Sequence, residues 1–217
     1  MTQNSNHPTW DIPTRLFHWL LVVGVFLAWL SHEQDWIQVH LWTGYTVLVL
    51  VVFRICWGFV GSVHSRFGNF MRSPAAVVRY WRGTEPGGAG HNPAGGWSIL
   101  VLLTLLLIQA MSGLFNSDGL LFDGPLHHAL DSDVTAKLGD LHDELYWIIL
   151  GFVGLHVAAV FYYQWVRREP LLGAMITGGK EGRKAPVSLW RAVVIVGLCV
   201  GALAVAVAMA PKPKLPW

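Results

Sequence analysis

Apolar residues gather in five blocks along this chain, each close to the roughly 20 residues that a helix needs to cross a bilayer. The blocks run from Pro13 to Ser31, Ile37 to Val60, Pro93 to Phe115, Leu141 to Val166 and Leu189 to Ala210. Boundary signals support them. Asn92-Pro93 reads as an N-cap followed by proline at the first helical position. Glu169-Pro170 ends the fourth block. Pro86-Gly87-Gly88 and Gly95-Gly96 bracket a loop ahead of the third. No internal repeat is evident. The pattern predicts an all-α integral membrane helix bundle, a core of four helices with a fifth, C-terminal transmembrane helix. Residues 1–180 read as one four-helix domain, and residues 181–217 as the added helix and a short tail.

Composition sharpens this picture. Only 13% of residues are charged, against about 25% in an average soluble domain. Hydrophobic residues make up 53%, and the mean hydropathy is +0.46. The twelve tryptophans suit a protein with two bilayer interfaces, where Trp collects. The two cysteines, Cys56 and Cys199, both lie inside apolar blocks. Four-cysteine Fe–S clusters are thereby excluded, and so is covalent haem attachment through Cys-x-x-Cys-His. The first ten residues are polar and carry no signal-peptide pattern.

Charge is distributed by loop. The second-to-third loop carries Arg66, Arg72, Arg79 and Arg82, and the fourth-to-fifth carries Arg167, Arg168, Lys180, Arg183 and Lys184. The first-to-second loop has no Lys or Arg. The third-to-fourth has Lys137 against Asp118, Asp123, Asp131, Asp133 and Asp140. The positive-inside rule then predicts a cytoplasmic N-terminus and an external C-terminus. Lys212 and Lys214 in the tail oppose nine basic residues in the two inner loops.

Against that background the histidines stand out. His142 and His156 lie fourteen residues apart in the fourth block. On a helix that spacing is just under four turns and about 21 Å, so both rings share a face near opposite ends of the span. Histidine inside a membrane helix is costly and marks a functional site by default. With the predicted orientation, His142 is near the outer face and His156 near the inner. His18, early in an inside-to-outside helix, is level with His156. His40, early in the returning helix, is level with His142. Two facing histidines at each level are what bis-histidine haem ligation requires, each ring giving one nitrogen to iron and holding a hydrogen bond with the other. The alternative is that they only bond helix to helix. Zinc fits less well, because two histidines on separate helices leave its coordination incomplete.

His32 lies fourteen residues beyond His18 and competes with His40 for the outer level. His40 is preferred because Gly44 follows one turn later on the same face, where a residue without a Cβ lets a flat macrocycle approach the backbone. At the inner level Arg54, fourteen residues beyond His40, and Arg15, one turn before His18, are candidates to pair with haem propionates. The alternative is that both snorkel to inner headgroups. Outer propionates would rely on water or on Asn116, Ser117, His127 or His128.

These residues resemble the bacterial cytochrome b561 and nickel–iron-hydrogenase b-type cytochrome family. Trp10-Asp11 with Arg15-Leu16-Phe17-His18-Trp19 is similar to its opening motif. His40-x-x-x-Gly44, Arg54 and Trp57-Gly58-Phe59-Val60-Gly61 are similar to its second helix. Gly90-His91-Asn92-Pro93, then His142 and His156, complete the likeness, which covers about residues 8 to 180. The fifth helix departs from the four-helix minimum. The resemblance implies two haems b, with His18, His40, His142 and His156 as axial ligands. It also implies a bacterial inner membrane and electron transfer between membrane quinone and a redox partner. The partner would be a periplasmic c-type cytochrome or a hydrogenase or reductase subunit. No nucleic acid partner is expected.

Other readings compete. A superoxide oxidase needs a cationic funnel at the outer level, and the acidic outer loop would repel an anion. A hydrogenase or reductase anchor would accept that enzyme's electrons. A cofactor-free transporter is disfavoured because no Asp, Glu or Lys lies in mid-span and no paired broken helices occur. His127 or His128 is a candidate hydrogen-bond donor to quinone. His64 reads as a solvated loop residue and His91 as structural. The acidic outer loop, extended by Asp143 and Glu144, is a candidate steering surface for a basic cytochrome.

Overall fold

The computed structural model describes residues 10–84, 93–117, 119, 122–178 and 189–211. Helices α1 (Ile12–Glu33) and α2 (Ile37–Val60) form an antiparallel hairpin. Two short helices follow, α3 (Phe67–Phe70) and α4 (Pro74–Trp81). A second pair is made by α5 (Pro93–Gly113) and α6 (Ser132–Phe161), which runs on through a π turn at Tyr162–Val166. Next come α7 (Leu171–Thr177) and α8 (Leu189–Ala208). Among the described residues, five helices (α1, α2, α5, α6 with its π turn, and α8) are long and apolar enough to cross a membrane. The all-α membrane bundle expected from hydropathy is the architecture found. Asn92 and His91, the expected cap region of α5, lie outside the described residues, as do Lys180, Arg183, Lys184, Lys212 and Lys214.

The local chemistry explains the ends. Asp11 caps α1, accepting from the Thr14 N–H at 2.7 Å, with proline in the first turn. The hairpin turn closes when the Trp36 N–H donates to the Ser31 carbonyl at 2.8 Å, with Asp35 in the left-handed region at φ +53°. Ser73 caps α4 through the Ala76 N–H, and Pro74 follows it. Gly178 ends α7 at φ +88°, donating to the Ala174 carbonyl at 2.8 Å.

One element differs from expectation. α6 begins at Ser132, nine residues ahead of the expected Leu141. Hydropathy reads this polar stretch as loop. Yet Asp131 takes the cap position and Asp133 sits in the first turn, where the helix dipole favours an anion. With its π turn the element is 35 residues long. At 1.5 Å per residue that is about 50 Å, well beyond a hydrocarbon core of about 30 Å. α3, α4 and α7, expected as loop, are short helices joining the spans.

The core lies on α2. Val51 is fully buried, and Phe53, Trp57 and Val47 pack with Phe17 of α1, Leu103 and Leu106 of α5, and Leu145 and Ile149 of α6. α8 adds Ala192 and Ile195 against this cluster. The outward faces of the same helices are apolar, as at Phe26, Leu155, Val193 and Leu198. A contiguous apolar exterior of this kind suits lipid rather than water.

Asp11 ties the hairpin together at its open end. Besides the cap bond, its carboxylate accepts from the Trp57 indole N–H at 3.1 Å and from the Ser62 hydroxyl. The side chain is 4% exposed, so each bond is made away from solvent. Asp11→Ala removes the cap and strands two donors, at a cost of about 2–4 kcal/mol. Asp11→Asn keeps an oxygen for the cap and is expected to cost less. Unfolding of the purified protein in detergent, followed by circular dichroism, checks the order wild type, Asn, Ala.

Candidate functional site

His40 and His142 meet at the end of the bundle that carries the α1–α2 turn. Their ring centroids are 6.2 Å apart with planes at 87°. Each ring is held by a carbonyl of the neighbouring helix. The His40 Nδ1–H donates to Ala28 O of α1 at 3.0 Å, and the His142 Nδ1–H donates to Gln109 O of α5 at 2.9 Å. A carbonyl only accepts, so each Nδ1 carries the proton and each neutral ring keeps its lone pair on Nε2. The Gln109 amide also donates to the His142 carbonyl at 2.9 Å, so this glutamine grips His142 at ring and backbone.

Two serines accompany these bonds. Ser31 donates to Ala28 O at 3.1 Å and lies 3.4 Å from His40 Nδ1. Ser112 donates to Gln109 O at 3.0 Å and lies 3.3 Å from His142 Nδ1. The arrangement occurs twice, once in each helix pair, although no repeat is evident in the sequence.

Both imidazoles line a cavity of about 610 Å³. Its walls are mostly apolar, with Val25, Val47, Leu106, Ile149 and Leu150. Gly44 lies in the wall, and a Cβ built on it would meet nothing within 4 Å. Gly113 is the opposite case. A Cβ there would come within 2.8 Å of His142 Cε1, so the glycine is the seat of that ring. Glu33, Asp35 and Asp143 also line the cavity, as do Asn116 and Ser117. His127 and His128 are not among its lining residues. His128 borders a second pocket beside the end of α8, and the His127 Nδ1–H donates to Phe115 O at 2.9 Å. Of the four polar residues expected near the outer level, Asn116 and Ser117 are thus the two that line the cavity.

His32 sits at the rim of the same cavity. Its ring centroid is 6.2 Å from that of His40 and 5.3 Å from that of Tyr146. The Tyr146 hydroxyl donates to Glu33 at 2.9 Å, linking α1 to α6 across the rim. His40 thus differs from its competitor in having its ring fixed by a backbone carbonyl.

At the other level lie His18 on α1 and His156 on α6, both half-buried. His18 Nδ1 is buried and has no hydrogen-bond partner among the described residues. Arg54 is 2% exposed, with its guanidinium 5.1 Å from the centre of the Phe67 ring and its Nη1 likewise without a partner. Arg15 donates through Nη1 to Ile176 O at 2.5 Å, which ties α1 to α7. His64 lies half-buried in the turn after α2.

Sequence reasoning singled out His40 and His142, which the fold brings together, but not Gln109, Ser112, Gly113 or Ser31. Gln109 and Ser112 carried a signal: they are polar residues inside an apolar span, which there seek hydrogen bonds. Gly113 carried none, because its importance depends on which ring lies opposite.

Residues 9–178 match the family described as prokaryotic cytochrome b561. Over 208 residues the chain is 24% identical to a protein of Rhizobium leguminosarum bv. viciae named "Probable Ni/Fe-hydrogenase B-type cytochrome subunit". That alignment covers 78% of this chain and 86% of the relative. No solved structure matches.

Gly113→Ala is expected to push His142 from its seat and lower the haem content of the purified protein. Gly151→Ala, where a Cβ meets nothing within 4 Å, is expected to leave it unchanged. Pyridine haemochrome assay of both variants checks the contrast.

Proposed function

The chain belongs to the prokaryotic cytochrome b561 family, and on that premise we propose that it binds two haems b, one above the other, and moves electrons between them across the membrane. Membership makes it a multi-pass b-type cytochrome of membrane electron transfer. The finer reading assigns His40 and His142 to one haem and His18 and His156 to the other. The observation that carries it is the pair of Nδ1 anchors, which leave an unprotonated Nε2 on each of two rings lining one cavity.

The residues fit the group. Where two such rings stand close together at one cavity, their free nitrogens would be able to hold one metal between them. The observed separation is 6.2 Å. Gly44 provides an open stretch of wall for a flat ring. At the second level the unpartnered His18 Nδ1 and Arg54 Nη1 are polar groups suited to a haem and its carboxylates. Haem supplies reversible one-electron chemistry when bound. The chain's own part is to hold the rings in one tautomer, to exclude water with apolar walls, and to place an arginine where anionic groups need one.

In this reading the orientation follows the loop charges, with the His142 level facing the periplasm and the bacterial inner membrane as the location. Membrane quinone is one electron partner and a periplasmic c-type cytochrome the other. A second reading, a membrane subunit that accepts electrons from a hydrogenase, draws on the relative's name. A superoxide oxidase fits poorly, because Glu33, Asp35 and Asp143 line the cavity and would repel an anion.

The purified protein is expected to show a b-type band on dithionite reduction. His142→Ala and His156→Ala are each expected to lose about half the haem, and from different centres. Retention of both haems in either variant overturns the ligand assignment. Co-purification with a hydrogenase rather than a soluble cytochrome selects the second reading.

A further inference from the structure

The two serines beside the ligand anchors do something that an ordinary helix hydroxyl does not. A serine bonding a carbonyl three or four residues back in its own helix is commonplace. Thr43, Thr46 and Thr104 do so here, to the carbonyls of Val39, Trp42 and Leu100. Ser31 and Ser112 differ because the carbonyl each one bonds is also the acceptor for an imidazole N–H. Both serines are deeply buried, at 1% and 2% exposure, so water does not replace these bonds.

Ala28 O and Gln109 O therefore each face three donors. One is the helical N–H four residues on. The others are the serine hydroxyl, at 3.1 and 3.0 Å, and the imidazole Nδ1–H, at 3.0 and 2.9 Å. A carbonyl oxygen has two lone pairs, so three donors divide what two would share. The strength of the Nδ1–H bond sets how basic the opposite nitrogen is, and a more basic ligand favours the oxidised metal. Each serine oxygen also lies 3.4 or 3.3 Å from Nδ1, near the limit of a hydrogen bond, so this contact is the weaker of its two effects. The net action of the hydroxyl is to draw acceptor capacity away from the imidazole.

We propose that Ser31 and Ser112 are positioning residues that restrain the electron-donating strength of His40 and His142. They thereby hold the reduction potential of the haem between those rings above the value the carbonyl anchors alone would give. The proposal rests on the ligand reading given above. It also accounts for the recurrence of the same device on opposite walls of one cavity, Ala28-x-x-Ser31 on α1 and Gln109-x-x-Ser112 on α5.

The test is potentiometric titration of the purified holoprotein, with the two haems resolved and low-spin EPR g values recorded alongside. Ser31→Ala and Ser112→Ala are each expected to lower the potential of one haem, the same one in both, leaving the other haem and total haem content unmoved. The double variant is expected to show the sum. Ser31→Thr and Ser112→Thr, which keep the hydroxyl, are expected to return to the wild-type potential, and Thr104→Ala to leave both haems alone. Potentials that stay put or rise in the alanine variants overturn the proposal. Should one alanine variant lose haem, the other, judged against its threonine counterpart, decides. Loss of one haem in His142→Ala with unmoved potentials in the serine variants removes the serine role only. Retention of both haems in His142→Ala removes the ligand reading itself.

Discussion

A ring N–H buried in a membrane needs an acceptor, and at one level of this bundle the backbone of the next helix supplies it. The bonds from His40 to Ala28 O and from His142 to Gln109 O meet that need. They also impose a condition, since a 3 Å bond to a main-chain atom requires α1 to lie close along α2 and α5 along α6. The small residue at the second contact follows from it. Gly113 leaves room for an imidazole that a larger side chain would displace, as the 2.8 Å approach of a Cβ there to His142 makes plain. One hydrogen bond thus offsets the cost of burying a polar ring, sets the helix spacing and determines which nitrogen is left to act.

The opposite level is organised by charge rather than by carbonyls. Arg54 is nearly inaccessible and lies over Phe67, whose ring in turn fills the space that a Cβ on Gly58 would need. A buried guanidinium is tolerated only where something compensates it. The Phe67 ring supplies a face for it, while Asp11 gives its hydrogen bonds to Thr14, Trp57 and Ser62. The same aspartate therefore caps a helix and closes the hairpin.

Much of this was legible in the sequence, for identifiable reasons. Spans were legible because lipid demands long apolar runs. The histidines were legible because they interrupt those runs at intervals that put them on one face. The early start of α6 was not, because Ser132–Asp140 is polar enough to pass for loop while its cap and acidic first turn belong to a helix. The ring anchors were invisible for a deeper reason: every residue offers a carbonyl, so nothing in the letters Ala28 or Gln109 says that theirs receives an imidazole. The likeness between Ala28-x-x-Ser31 and Gln109-x-x-Ser112 was equally hidden, since two shared positions in apolar helices do not amount to a repeat until their partners are known.

The α1–α2 hairpin is clamped at both ends, by Asp11 against Trp57 at one and by Ala28 against His40 at the other. Between the clamps, helical pitch alone spaces the levels, at about 21 Å for fourteen residues. Bilayers thicken and thin with lipid composition and temperature, and helices that merely float in them tilt in response. A hairpin pinned twice to its own neighbour tilts as one body, so the interval between its levels is a molecular constant. Because electron tunnelling weakens steeply with distance, a gap set by helical pitch would, under the two-haem reading proposed above, keep the transfer rate indifferent to the state of the surrounding lipid.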